Sequence, residues 1–328
     1  MSNIDMIMMA KSRSEGAILT TPLLSNSKVN QALGKKLFIK PECLQVTGSF
    51  KFRGAWSALS YLKGQRKKLN GVVAFSSGNH AQAVAAASKA HKVQAVIIMP
   101  KDAPEIKIKN THNFGAEIIL YDRFQDSRED IGSKISKERN LTLIKPYDES
   151  LVIAGQGTCG LEIVEQARNH GVYDAEVLVC CGGGGLSAGI ALSLEDTQGS
   201  FSVRTCEPEF FNDTARSLNS GKREMNPPDV ESICDAILTP MPGELTFPIL
   251  KRLAGKGLVA SDQQVIRAMK FLFENFKLVS EPGGAVALAS ALFNLNKIAS
   301  KNIVVVVSGG NVDAHMFTKA LESRAISL

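Results

Sequence analysis

Lys51 lies between two aromatic residues, Phe50 and Phe52, directly after the small residues of Thr47-Gly48-Ser49. Surface lysines usually have polar neighbours, so these flanks predict an amine in an apolar pocket. Burial disfavours the charged form of a lysine and lowers its pKa, which makes the neutral amine available as a nucleophile or base. Lys51 is therefore the first candidate catalytic residue.

A run of five polar or small residues, Ser76-Ser77-Gly78-Asn79-His80, follows a predicted strand and begins a predicted helix. Exposed backbone N–H groups at a helix N-terminus bind anions. Helix capping needs only one such side chain, so the run favours a site for a carboxylate or phosphate. His80 by itself is as well explained by a structural role.

Four consecutive glycines, Gly182, Gly183, Gly184 and Gly185, join a predicted strand to a predicted helix. Glycines destabilise regular structure, and the close approach of backbone N–H groups to a phosphate would explain four of them together. The stretch matches neither the P-loop nor the GxGxxG pattern, and a tight turn is the alternative explanation.

Two further polar residues stand beside glycine pairs. Ser308 ends a strongly apolar run, and its hydroxyl suits either a ring nitrogen or the cap of the next helix. Glu281 precedes a Gly-Gly helix start, where an acidic residue is also common for electrostatic reasons.

Glu207 and Asp213 follow the predicted strand 201–207 and suggest a different kind of site. Two carboxylates and a backbone carbonyl can hold a hard divalent cation together with water. Solvated acids near a loop are the commoner explanation of such a pair.

One cofactor, pyridoxal 5′-phosphate, makes use of the desolvated amine, the glycine loop, the anion-binding turn and the polar partner for a ring nitrogen. It is held as a Schiff base on a lysine. In this interpretation Phe50 and Phe52 shield Lys51, the glycines bind the phosphate, and the Ser76–His80 turn binds a substrate carboxylate.

Short apolar runs alternate with longer segments of helical period. The predicted strands are 37–40, 71–76, 93–99, 116–121, 141–145, 175–181, 201–207 and 302–308. The predicted helices are 51–63, 79–91, 104–113, 126–139, 150–170, 184–196, 261–275 and 283–294. This alternation predicts an α/β fold with mainly parallel sheets, in which ligands bind at the carboxyl ends of strands.

Length and composition narrow the class of protein. A chain of 328 residues predicts two domains, and 44% hydrophobic with 21% charged residues is typical of a globular protein. A net charge of +6, with basic runs that lack aromatic residues, does not indicate a nucleic-acid partner. The six cysteines form no CxxC pair, and we find no secretory signal or membrane span. We therefore expect a cytoplasmic protein with buried thiols.

Six motifs in order resemble the fold-type II pyridoxal-phosphate enzymes, within the serine/threonine dehydratase and serine racemase group. They are TGSFKFRGA, SSGNHAQ, AGQGT, GGGG, EPGGAVALA and SGGNVD, and the resemblance covers nearly the whole chain. It implies a tryptophan synthase beta-like fold of two open, twisted, mainly parallel sheets flanked by helices. We place the large domain at 1–67 and 148–328 and the small inserted domain at 68–147.

The resemblance also implies roles for individual residues. Lys51 would carry the cofactor and act in catalysis, and further cofactor contacts would come from Phe50, Asn79, Gly182, Gly183, Gly184, Gly185, Glu281 and Ser308. Substrate contacts would come from Ser76, Ser77, Asn79, His80 and Arg128. Mg²⁺ or Ca²⁺ would be held by Glu207, Asp213 and the carbonyl of Phe211, and a homodimer is the expected assembly.

The activity implied is β-elimination from L-threonine or L-serine, which yields a 2-oxo acid and ammonia. Serine racemase and threo-3-hydroxyaspartate ammonia-lyase are the alternatives within the enzyme class. Ser77 is equally well explained as a helix cap and as a second catalytic residue on the face opposite Lys51. A non-catalytic anion-binding α/β protein is the alternative from a different class.

Overall fold

Runs of β-branched and other apolar residues form strands that are covered on both faces. In Asn302–Val307, for example, every residue after the first is buried, as expected for a parallel strand inside an α/β structure. The structure, a computed structural model, describes residues 2–65, 69–76, 78–103, 105–122, 125–197 and 200–326. Within these residues the strands form two separate sheets.

The larger sheet has six strands. They are β1 (Leu24–Ser25), β2 (Lys36–Pro41), β7 (Ala175–Cys180), β8 (Phe201–Pro208), β9 (Ala254–Ala260) and β10 (Asn302–Val307). Their order is β1-β2-β10-β7-β8-β9, and every pairing except that of β1 with β2 is parallel. The carboxyl ends of β7 and β10 therefore lie side by side, which brings the tetraglycine stretch close to Ser308.

The smaller sheet has four parallel strands. They are β3 (Val72–Phe75), β4 (Ala95–Pro100), β5 (Glu117–Tyr121) and β6 (Thr142–Leu143), in the order β5-β4-β3-β6. The α/β fold class is confirmed. The domain boundaries, the homodimer and the cytoplasmic location stay predictions.

Helices separate most of the strands. In the described part of the chain they are α1 (Ile4–Ser14), α2 (Ser27–Leu33), α3 (Lys51–Gln65), α4 (Asn79–His91), α5 (Glu105–Asn113), α6 (Arg128–Glu138), α7 (Ser150–Asn169), α8 (Gly185–Leu194), α9 (Asp213–Ser220), α10 (Thr246–Leu253), α11 (Asp262–Phe276), α12 (Pro282–Phe293) and α13 (Ala314–Glu322). All eight predicted helices and all eight predicted strands are present. The sequence analysis missed β1, β9, α1, α2, α9, α10 and α13. No described helix is both long and apolar enough to cross a bilayer.

A buried network of four charged side chains anchors α3, the helix that begins at Lys51. Arg53 donates to both oxygens of Glu42 at 2.6 and 2.8 Å and to both oxygens of Glu162 at 2.6 and 2.9 Å. Lys40 donates to Glu162 at 2.5 Å. Arg53, Glu42 and Lys40 have no exposed side-chain surface. Because Glu162 lies on α7 and Glu42 follows β2, the network ties the first turn of α3 to both elements.

Candidate active site

The turn that carries Lys51 is hydrogen-bonded to the end of β10. Phe50 N donates to Ser308 O at 3.0 Å, and Gly310 N donates to Gly48 O at 2.9 Å. Lys51 is the first residue of α3, so its backbone is held between this pairing and the helix. The pairing places the lysine beside the carboxyl end of the central strand of the six-stranded sheet.

Phe50 lies beside the Lys51 amine as predicted, but Phe52 packs in the core against Trp56, and the cavity at the amine is lined largely by polar side chains. Lys51 Nζ donates to Pro146 O at 2.9 Å and lies 5.1 Å from the centroid of the Phe50 ring. Burial lowers the pKa of Lys51 to about 8, while Cys180 and Glu281 act in the opposite direction. A substantial fraction of this amine is therefore neutral near physiological pH, as a nucleophile or base requires.

Asn79 is held rigidly by hydrogen bonds on both sides of its amide. Its Nδ2 donates to Glu281 Oε1 at 2.5 Å, and its Oδ1 accepts from Asn311 Nδ2 at 2.8 Å. Asn311 also donates to Thr47 O at 2.9 Å. Burial raises the pKa of Glu281 to about 7, with a smaller contribution from Asp235. These contacts join the first turn of α4 to the Lys51 turn and to the start of α12.

The four glycines form a concave backbone surface between β7 and α8. Gly184 has φ +89°, a conformation that favours glycine, and Thr246 Oγ1 donates to Gly183 O at 2.6 Å. A Cβ at Gly183 would lie 2.2 Å from the Tyr147 ring, and one at Gly184 would lie 2.9 Å from Thr246 Oγ1. Residues other than glycine would therefore collide with Tyr147 or Thr246. Glycines leave the backbone N–H groups accessible, as a phosphate site requires.

Ser308 carries a hydroxyl that faces the same cavity. Cys180 Sγ donates to Ser308 Oγ at 3.1 Å, and burial raises the pKa of the Cys180 thiol to about 11. Since the protonated thiol supplies the hydrogen of this contact, Ser308 keeps its own O–H for another partner. A neutral donor or acceptor of this kind suits the ring nitrogen of pyridoxal phosphate.

One cavity brings the predicted cofactor residues together. It is lined by Phe50, Lys51, Asn79, Gly182, Gly183, Gly184, Gly185, Glu281 and Ser308, among others. The desolvated amine, the glycine cradle and the neutral hydroxyl fit pyridoxal phosphate. The individual contacts of the cofactor stay predictions.

A second cavity adjoins the first and shares Lys51, Asn79 and Tyr147 with it. It contains four of the five predicted substrate residues, Ser76, Asn79, His80 and Arg128. Gly78 N donates to Ser76 Oγ at 3.2 Å. Ser77 lies outside the described residues.

His80 is buried and its ring is neutral. Its Nε2 lies 3.1 Å from Ile144 O, and because a carbonyl only accepts, Nε2 carries the hydrogen. Burial and, to a smaller extent, the nearby charge of Lys51 lower the pKa of His80 to about 3. The side chain thus has a structural partner, and its contribution to substrate binding stays a prediction.

The predicted cation residues Glu207 and Asp213 lie close together, but three of their four carboxylate oxygens have protein partners. Glu207 accepts from Thr214 N at 2.8 Å and from Ala215 N at 2.7 Å. Asp213 Oδ1 accepts from Asn226 Nδ2 at 2.6 Å, and its Oδ2 is buried without a described partner. Burial and the neighbouring Asp213 raise the pKa of Glu207 well above its usual value. Among the described residues no group of three His, Cys, Asp or Glu side chains is arranged to hold a metal. Mg²⁺ or Ca²⁺ binding, with the Phe211 carbonyl, stays a prediction.

Three further residues of the two cavities escaped the sequence analysis as site residues. Tyr147 lies in a loop, Asp235 begins a short 3₁₀ helix (Asp235–Ile237), and Lys107 lies on α5. Tyr147 follows the carboxyl end of the short strand β6, and α/β proteins bind ligands at such strand ends. Its position in the sequence could therefore have identified it as a candidate site residue. No pattern in the sequence identified Lys107 or Asp235 as a site residue, because Lys107 belongs to a basic run and Asp235 belongs to an irregular segment.

Alanine at Gly184 is expected to lower the affinity for pyridoxal phosphate by about 5- to 30-fold, because the side chain strains a left-handed backbone by about 1–2 kcal/mol. Relief of the strain would displace the loop N–H groups. Titration of the apoenzyme by absorbance measures the affinity. The control is Gly171→Ala, since Gly171 also has positive φ (+69°) but nothing within 4 Å of its Cβ position. Equal affinities for the two variants would contradict the phosphate role.

The rate at which Lys51 of the apoenzyme reacts with pyridoxal phosphate is expected to rise with pH and to level off above about 8. With a pKa of about 8, roughly a quarter of the amine is neutral at pH 7.5, against about one part in a thousand for an ordinary lysine. Stopped-flow absorbance between pH 6 and 10 measures this profile. A midpoint near 10.5 would show that Lys51 is an ordinary solvated amine.

Comparison with known proteins agrees with this geometry. A family model described as "Pyridoxal-phosphate dependent enzyme" matches residues 15–309. The chain is 39% identical over 316 residues to the L-threo-3-hydroxyaspartate ammonia-lyase of Saccharomyces cerevisiae, covering 96% of this chain and 95% of the relative. It is 41% identical over 302 residues to the serine racemase of Schizosaccharomyces pombe, covering 92% and 91%.

A solved structure shows the same fold. The threonine deaminase of T.th. superposes with a TM-score of 0.88 at 37% identity, covering 95% of this chain and 99% of that chain. The family match, the relatives and the fold agree with one another, and the chain belongs to the pyridoxal-phosphate dependent enzymes of fold type II.

Proposed function

We propose that this protein is an ammonia-lyase that converts L-threonine and L-serine into a 2-oxo acid and ammonia by β-elimination. The observation that carries the proposal is the position of Lys51. Its amine, with a lowered pKa, lies where the glycine-lined cavity meets the cavity at the first turn of α4. A cofactor site and an anion site therefore share one base.

The residues of the chain have separate tasks in this proposal. The N-terminus of α4 binds the α-carboxylate of the substrate through backbone N–H groups, which orients the α-carbon toward Lys51. Lys51 Nζ removes the α-proton, the β-hydroxyl leaves as water, and hydrolysis of the resulting free enamine gives the 2-oxo acid and ammonia. The bound cofactor supplies an electron sink. Ser308 offers the ring nitrogen a neutral partner and adds no positive charge. Negative charge on the α-carbon is then delocalised less, which favours rapid elimination.

Steady-state kinetics with L-threonine, L-serine and L-threo-3-hydroxyaspartate test the proposal. Formation of the 2-oxo acid and ammonia in equal amounts is expected. If the protein, with its visible cofactor absorbance intact, releases ammonia from none of the three, the proposed activity is wrong. The 3-hydroxyaspartate arm is included because relatives at 39% and 38% identity bear that name.

Serine racemisation is the second candidate function, and the relatives named serine racemase at 41% and 38% identity favour it. Racemisation needs a proton donor on the face of the α-carbon opposite Lys51, and Ser77 is the candidate from the sequence. We expect slow D-serine formation beside dominant elimination, and Ser77→Ala should remove it. Chiral chromatography of the products measures both, and the absence of D-serine from the wild-type reaction would exclude this activity.

A further inference from the structure

The four consecutive glycines do not by themselves fix the direction of the peptide groups between them. Glycine adopts positive and negative φ about equally readily, so a peptide group between two glycines can turn over at little steric cost. In the Gly183–Gly184 peptide, one orientation presents an N–H group to the cofactor cavity and the other presents a carbonyl oxygen. Only the first orientation attracts a phosphate. Contacts from outside the glycine loop must therefore fix this peptide.

Thr246 and Gly243 hold the carbonyl of this peptide. Thr246 Oγ1 donates to Gly183 O at 2.6 Å, and Gly243 N donates to the same oxygen at 3.2 Å. Thr246 is fully buried and is not among the described residues that line the cofactor cavity. The Gly183 carbonyl therefore points away from the cavity and into the protein.

The N–H group of the same peptide points in the opposite direction. In a trans peptide the C=O bond and the following N–H bond are antiparallel, and the described part of the chain contains no cis peptide bond. The Gly184 N–H is therefore directed to the cavity side of the loop, where Gly184 is a lining residue. Gly184 immediately precedes α8 and has no side chain to cap the helix, so the N–H groups at this end are available to an anion.

The segment that supplies Thr246 is itself held in place. Asp148 Oδ1 accepts from Leu245 N at 2.8 Å, directly before Thr246 in the chain. Thr246 is the first residue of α10, so its backbone also belongs to a helix. The hydroxyl group that contacts Gly183 O therefore has a fixed position behind the loop.

We propose that Thr246 is a positioning residue of the phosphate site: its hydroxyl holds the Gly183 carbonyl away from the cavity and so directs the Gly184 N–H toward the cofactor phosphate. Without this hydrogen bond the peptide can turn over, and its carbonyl oxygen would then face the negative charge of the phosphate. The site would lose a donor and gain an acceptor in one movement. The inference goes beyond the ammonia-lyase activity, because it holds for any amino-acid substrate.

Titration of the apoenzyme with pyridoxal phosphate, inorganic phosphate and pyridoxal tests the inference. In Thr246→Val, which is similar in size but lacks the hydroxyl, the affinity for pyridoxal phosphate is expected to fall about 3- to 30-fold, as for a weakened hydrogen bond to a charged group. The affinity for inorganic phosphate, measured by its competition with pyridoxal phosphate, should fall by a similar factor. Pyridoxal has the same ring and aldehyde but no phosphate, so its imine with Lys51, followed by absorbance, should form as in the wild type.

Three further variants separate the hydrogen bond from a loss of packing. Thr246→Ser keeps the hydroxyl and should retain most of the phosphate affinity. Thr246→Ala removes the hydroxyl without placing a methyl group against Gly183 O, so it remains informative if Thr246→Val does not fold. Thr111→Val is the matched control, since Thr111 is also fully buried and its hydroxyl donates to Lys107 O at 2.8 Å. Both of these residues lie on α5, which contributes no described residue to the lining of the cofactor cavity, so this variant should bind all three ligands as the wild type does.

The pattern of affinities decides the outcome. Weaker binding of pyridoxal phosphate and inorganic phosphate alone, restored in Thr246→Ser, supports the role of Thr246. Equal losses for pyridoxal phosphate and pyridoxal in Thr246→Val and Thr246→Ala would show that the hydroxyl only supports the fold, and unchanged phosphate affinity would show that the loop keeps its orientation without it. Either result overturns the inference, as would a loss in Thr246→Ser as large as that in Thr246→Ala. None of them bears on the ammonia-lyase activity, which the kinetics of the wild type test separately.

Discussion

Replacement of Lys51 by alanine is expected to lower turnover by at least about 10³-fold and to remove the visible absorbance of the lysine-bound cofactor. The variant loses both the amine that attaches the cofactor and the base that removes the α-proton, and a positioned base alone contributes about 10²–10⁴-fold. Activity assays and absorbance spectra of the purified protein measure the two effects.

Two further variants show whether the amine itself is responsible. Lys51→Arg keeps a positive charge but has no amine that can be deprotonated, so it should be as inactive as Lys51→Ala. Lys63→Ala removes an exposed lysine at the other end of α3 and should keep both activity and spectrum. Wild-type turnover in Lys51→Ala, or substantial turnover in Lys51→Arg, would show that Lys51 is not the cofactor lysine.

Replacement of Glu162 by glutamine is expected to lower the free energy of unfolding by about 3–5 kcal/mol, because it removes one member of a buried ionic network. Lys40 and Arg53 both donate to Glu162, and neither has exposed side-chain surface. Glutamine has nearly the same shape but no charge, so the two cations would share the single carboxylate of Glu42. Urea denaturation measures the change.

The matched control is Glu165→Gln, one turn further along α7. The Glu165 side chain is 68% exposed, and its nearest cation, Lys11, is 4.0 Å away, so the change should be below about 1 kcal/mol. Similar decreases in the free energy of unfolding in the two variants would indicate that the buried network stabilises the protein no more than a surface ion pair does. Since Arg53 is two residues from Lys51, Glu162→Gln should also weaken cofactor binding.

The sequence alone determined the elements whose signals are local. A run such as Ile303 to Val307 forms a buried strand because its apolar character and β-branching suffice, whatever its neighbours are. The motifs around Lys51, Gly184 and Ser308 were also visible, since each depends on residue types within a few positions. That they serve one cofactor was inferred from the chemistry that pyridoxal phosphate needs, and the family resemblance then agreed with it.

Elements with weak local signals appear only in the tertiary structure. The edge strand β9 contains Gly255 and Gly257 in the stretch AGKGLVA, and it forms a strand because the edge of β8 provides parallel pairing. In α1, Ile7 and Ala10 are fully buried by contacts with α7 and α8, elements more than 130 positions away. The residues of β9 and α1 do not indicate that these distant elements will pack against them.

The same reason explains which parts of the site were missed. Lys107 meets Asp235 across 128 positions of sequence, and Arg53 meets Glu162 across 109. Such pairs depend on how the elements of the two sheets pack together, and a charged residue in a sequence looks the same whether it is solvated or paired. The sequence therefore determined the kind of chemistry at Lys51, while only the tertiary structure placed the further charges of Lys107 and Asp235 in the adjoining cavity.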